Sequence, residues 1–204
     1  MPGPELLLVR HGRSAHVHKG WIDVHGVRRW MAAYDAAEIM PDHAPPAELE
    51  ALVRDASLVI ASDLPRTVAS AVRLAPERDI VRTPLLREAP METPDRPLRG
   101  FGGIRLPLRA WGMLWGTQWL ASWLWNASPP GVGPAELARA EQAAEFLMTH
   151  AQDAGGRVVA VTHATFRVLL ARALARRGWR GPEQRPYHEW SSWRYVPGPL
   201  DIAP

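Results

Sequence analysis

Three short apolar runs in this chain each stop at a polar, chemically able residue. Glu5 to Val9 ends at Arg10-His11-Gly12, Ser57 to Ala61 ends at Ser62-Asp63, and Arg157 to Thr162 ends at His163. Such runs, bounded by polar loops, read as strands buried on both faces. Asp79 to Arg82 reads as a fourth, weaker strand. Trp193 to Val196 reads as a fifth, placed at a sheet edge because Pro197 follows.

Helical patterns separate these strands. Ala47 to Asp55 is one helix and Leu64 to Leu74 another, with Ser62 or Asp63 as its cap and Pro65 in the first turn. Pro134 to Gln152 is the longest, with Leu137, Ala140, Ala144, Leu147 and Met148 at helical spacing and Gly155-Gly156 as its stop. Ala164 to Arg177 follows the third strand and stops at Gly178. Strands alternating with helices predict a three-layer α/β/α sandwich around a mostly parallel sheet. A chain of 204 residues is long enough for one domain with a core, here residues 1–204, with 90–130 as a cap or insertion. Pro90 to Gly103, rich in proline and glycine, reads as a long loop.

Composition excludes several classes. Hydrophobic residues make up 47% and charged residues 22%, which rules out a disordered or fibrous chain. Cysteine is absent, so disulfides, thiolate metal sites and a cysteine nucleophile are excluded. The net charge is only +3, and Arg172, Arg176, Arg177 and Arg180 form the only local basic cluster, so nucleic acid is not an expected partner. The apolar run that Arg10 ends is too short for a secretory signal, and no membrane span is present; a cytoplasmic location is expected. His16, His18 and His25 lack a supporting ligand motif and read as structural or surface residues rather than a metal site.

In open α/β sheets, ligands bind beyond the carboxyl ends of the strands. Arg10, His11, Ser62, Arg66 and His163 all fall at or one turn past such ends, so two histidines and two arginines can meet there. These segments resemble the histidine phosphatase superfamily, the phosphoglycerate-mutase-like proteins. Leu7-Leu-Val-Arg-His-Gly-Arg-Ser14 matches the strand and Arg-His-Gly-x-Ser/Thr motif. Ala61-Ser-Asp-Leu-Pro-Arg-Thr67 matches Ser-x-x-x-Arg-Thr/Ala, Pro84-Leu-Leu-Arg-Glu88 matches the Leu-x-Glu acid, and Val161-Thr-His163 matches the late Val-x-His. Order and spacing agree from about residue 5 to 178.

The resemblance implies a metal-independent phosphate monoester hydrolase that needs no cofactor. His11 would attack phosphorus, and Glu88 would be the general acid and base, with Glu92 as the competing acid. Arg10, Arg66, His163, Gly12 and Ser62 would bind the phosphoryl group. His163 is placed among the catalytic residues as well. A phosphotransferase or mutase of the same fold, and a non-catalytic phosphate-binding module, are the alternatives. Three features depart from the family: the usual Asn after the first motif is missing, with His16 or His18 as substitutes; the Gly-rich pattern after the acid is not reproduced; and His163 is followed by Ala164. They point away from a true phosphoglycerate mutase. The partner is a small phosphorylated substrate of unspecified identity.

Trp111, Trp115, Trp119 and Trp123 recur every fourth residue, with Trp125 nearby. On a helix they form one stripe, which packs on the core, caps the phosphate pocket, or forms a homodimer or membrane-interface surface.

Overall fold

A computed structural model describes residues 3–17, 20–90, 103–114, 117 and 132–199. In chain order these form β1 (Glu5–Arg10), β2 (Trp21–Ile22), α1 (Val24–Asp35), α2 (Ala47–Arg54), β3 (Leu58–Ser62), α3 (Pro65–Leu74), β4 (Ile80–Thr83), a 3₁₀ turn (Pro84–Leu86) and β5 (Leu106–Pro107). After residue 132 come α4 (Pro134–Ala154), β6 (Arg157–Thr162), α5 (Ala164–Arg176), β7 (Trp179–Arg180) and β8 (Ser192–Pro197).

Six strands make one sheet in the order β4-β3-β6-β1-β8-β7. The pairs β4–β3, β3–β6 and β6–β1 are parallel; β1–β8 and β8–β7 are antiparallel. Side-chain alternation along the strands splits the core into two layers. Leu6, Leu8, Val158 and Ala160 meet α4 and α5 on one face. Leu7, Val9, Val159 and Val161 meet α2 and α3 on the other. The expected α/β sandwich is therefore the observed architecture.

The fifth expected strand forms, but not at an edge. β8 lies between β1 and β7, and Pro197 is its last residue, opposite Trp179, so the missing N–H falls at the strand end. The expected cap of α3 is also corrected. The N-cap position is Leu64 and makes no side-chain bond; Pro65 at N1 removes one of the donors a cap would serve. The end of α4 is as expected, with Gly155 in the left-handed region at φ +61°.

One helix was not anticipated. In α1, Asp23 caps the first turn by accepting from Gly26 N at 2.6 Å. Val24, Val27 and Met31 fall at helical spacing, and this pattern with an Asp cap was a readable signal. Val24 and Val27 pack with Ile22 and Trp111 in a third small cluster. Trp111 is 2% exposed and donates its indole N–H to Ile22 O at 2.8 Å. The rest of the tryptophan stripe (Trp115, Trp119, Trp123 and Trp125) lies outside the described residues, as does most of 90–130.

Candidate active site

The parallel register assembles the site. Arg10 pairs with Thr162 across β1 and β6, so the next residues, His11 and His163, leave the sheet side by side. Their rings meet edge to face, with centroids 5.1 Å apart. β3 joins in the same register, with Ala61 opposite Val161, and brings Ser62 to His163. His163 Nε2 lies 3.2 Å from Ser62 Oγ.

His11 is 3% exposed. Its Nδ1 lies 2.7 Å from Gly12 O, which can only accept, so the proton sits on Nδ1 and Nε2 keeps its lone pair. Burial first, then the charges of Arg66, Arg10 and Arg167, hold the His11 pKa down to about 3; the bond to Gly12 opposes them. The ring is therefore neutral at physiological pH. Burial also holds His163 well below the usual histidine value, assisted by His11 and Arg66.

Gly12 donates its N–H to Ser70 Oγ at 2.9 Å, so that donor is already engaged within the protein. Glycine is needed here for space. A Cβ at Gly12 would lie 2.4 Å from the Trp190 ring.

Two arginines border a cleft of about 360 Å³ that also reaches Glu88. Arg66, on the first turn of α3, is 1% exposed. It donates to Tyr34 O at 3.0 Å, pairs with Asp35 at 3.0 Å and stacks on the Tyr34 ring at 4.4 Å. Arg10 donates to Tyr187 O and lies 3.8 Å from Glu189. Three buried polar atoms of the site, Arg10 Nε, Arg66 Nε and His163 Nδ1, have no hydrogen-bond partner among the described residues. The two arginine Nε–H groups are buried donors without partners, which is costly unless a ligand satisfies them.

Glu88 sits at the amino end of α5. Its Oε1 accepts from Phe166 N at 2.9 Å and Ala89 N at 3.0 Å, and its Oε2 from Thr165 N at 3.4 Å. Burial raises its pKa; those three N–H bonds and Arg66 pull the other way without overcoming it. Glu92 and His18 lie outside the described residues. The His16 ring packs against Trp30 at a tilt, with centroids 5.7 Å apart. Among the described residues no three His, Cys, Asp or Glu side chains cluster to hold a metal ion.

Several neighbours of the site escaped the sequence reading. Arg139 of α4 donates to Leu85 O and Arg87 O, both at 2.8 Å, and to Glu88 O at 3.3 Å, while stacking on Phe166 at 4.1 Å. Arg167 of α5, fully buried, holds Ser191 and Pro186 and stacks on Trp193; burial and Arg10 lower its pKa to about 10. A charged residue within the apolar face of a helix was the available signal for Arg167.

No family model matches the sequence, and no curated protein matches it. Solved structures do. A phosphoglycerate mutase from Bacillus anthracis aligns with TM-score 0.54 at 15% identity, covering 95% of this chain and 88% of that one. A mycobacterial glucosyl-3-phosphoglycerate phosphatase aligns with TM-score 0.52 at 17% identity, covering 94% and 89%. A phosphoserine phosphatase mutant from Entamoeba histolytica, in complex with phosphoserine, aligns with TM-score 0.51 at 15% identity, covering 84% and 80%. The chain therefore shares its α/β fold with this mutase and these phosphatases.

Proposed function

We propose that this chain is a phosphomonoesterase that works through a phosphohistidine on His11. The observation that carries the reading is a neutral, buried His11 with its Nε2 lone pair free, set among Arg10, Arg66 and His163, whose unpartnered donors suit phosphoryl oxygens. The Nε2 lone pair forms the N–P bond as the ester P–O bond breaks, and Glu88 gives its proton to the leaving oxygen. Glu88 then takes a proton from water, whose oxygen attacks phosphorus. The P–N bond breaks and the lone pair returns to His11. The arginines hold the three non-bridging oxygens throughout.

The test is phosphate release from p-nitrophenyl phosphate in the presence of a chelator. Wild type should turn over, and His11→Ala should lose at least about 10²-fold while staying folded. Full activity in His11→Ala would overturn the mechanism. With an added acceptor alcohol, transfer exceeding hydrolysis would favour a phosphotransferase instead.

A further inference from the structure

Beyond the phosphate-binding groups, the cleft carries an asymmetry of charge. The remainder of its lining is mostly apolar and includes Trp30, Met31 and Tyr34 of α1 with Leu64. Two charged residues break it, Asp35 and Arg87. Arg87 is already neutralised: its Nε and terminal nitrogen each donate to Asp63 at 2.6 Å. That fork holds the Asp63 carboxyl below the usual range. Asp35 differs. Its side chain is 56% exposed, and its partner in the cleft is Arg66, at 3.0 Å. Arg66 is also the group assigned to the phosphate. Once a phosphoryl group takes Arg66, Asp35 is left as an unbalanced carboxylate on the cleft lining beside the phosphate.

We infer that Asp35 selects the substrate: the cleft takes phosphate monoesters whose alcohol bears an ammonium group on a short spacer, and rejects those bearing a carboxylate. This rests on the phosphomonoesterase reading and deepens it. Asp35 closes α1, whose aromatic face is stacked in place. Trp30 lies on Tyr34 at 5.0 Å, and Tyr34 lies on Arg66 at 4.4 Å. The carboxylate is thereby held beside the phosphate site, within reach of a cation on a compact alcohol. A second anion meets repulsion from Asp35, and among the described lining residues finds no cation other than the phosphate arginines and the paired Arg87.

The experiment compares phosphoethanolamine, propyl phosphate and phosphoglycolate, which carry positive, neutral and negative alcohol ends. Wild type should rank them in that order by kcat/KM, with at least about tenfold between the extremes. Asp35→Asn should shrink that ratio about tenfold, mainly through KM. Removing Asp35 also frees Arg66, but this changes phosphate binding for all three esters alike, so the ratio isolates the alcohol end. A flat or reversed order in wild type, or an unchanged ratio in Asp35→Asn, overturns the inference while p-nitrophenyl phosphate hydrolysis leaves the phosphomonoesterase reading standing. No turnover of any ester, p-nitrophenyl phosphate included, overturns both.

Discussion

A histidine nucleophile and a carboxylic acid must hold opposite protonation habits to work at one pH. In the proposed mechanism burial moves His11 and Glu88 in those opposite directions. It depresses His11 to about 3 and raises Glu88 above its ordinary value, because each loses hydration in its charged form. The sign follows directly. Attack needs His11 unprotonated, which holds at every pH well above 3; leaving-group protonation needs Glu88 protonated, which is lost as pH rises through its raised pKa. The profile of kcat/KM should therefore carry a basic limb, a fall as pH rises through the raised Glu88 value, that reports Glu88. Substrate ionisation near pH 6 contributes too, but equally to wild type and variant. In Glu88→Gln the Glu88 limb should vanish and the rate on alkyl phosphates should fall about 10²-fold or more. A pH profile of unchanged shape in that variant would remove Glu88 from the acid role.

At the scale of elements, Glu88 is held by α4 and α5 together. The amino end of α5 presents Thr165 and Phe166 N–H groups to the Glu88 carboxylate. From α4, Arg139 gathers the carbonyls of Leu85, Arg87 and Glu88, and Thr162 Oγ1 donates to Leu86 O at 2.7 Å. In the proposed mechanism Arg139 is a positioning residue, acting through Glu88. Its removal should matter most where protonation of the leaving group matters most. Arg139→Gln should lower kcat/KM about tenfold or more on alkyl phosphates and by less than about threefold on p-nitrophenyl phosphate, whose leaving oxygen needs little help. Equal losses on both would show a merely structural role. The strands and the long helices behind this arrangement were legible because each is a local pattern: an apolar run, a helical period, a proline or glycine at an end. The hold of Arg139 on residues 85–88 was not, since it joins positions 51 to 54 residues apart.

Across the whole molecule, one carboxylate ties the centre of the sheet together. Glu5 starts β1 and accepts from Arg157 of β6 at 2.5 Å and from Arg194 of β8 at 2.6 Å. Burial pushes its pKa up, but the two arginine bonds and their charges outweigh burial, and the net shift is downward. A carboxyl depressed in the folded state stabilises fully above its unfolded pKa, near 4.5, and loses that contribution as pH falls through the lower folded value. Glu5→Gln should cost about 2 kcal/mol at neutral pH, the scale of charge-assisted bonds, and should flatten the acid limb of stability. Denaturant melts of both proteins between pH 3 and about 7 check this; parallel curves for the two would show that Glu5 contributes nothing through its charge.

By itself the sequence determined the strand-helix alternation and put Arg10, His11, Ser62 and His163 at strand ends, Arg66 one turn beyond and Glu88 on its motif, because strand period, turn chemistry and short motifs are written within a few residues. Only the tertiary structure decided the opposite directions in which burial moves His11 and Glu88, the tie from His11 to Gly12, the seat of Glu88 on α5 and the placing of Asp35 beside Arg66. Each of these depends on burial or on contacts between distant segments, such as Arg66 with Tyr34, 32 residues apart. No local pattern encodes such neighbours; the packing of the helices against the sheet and against one another does.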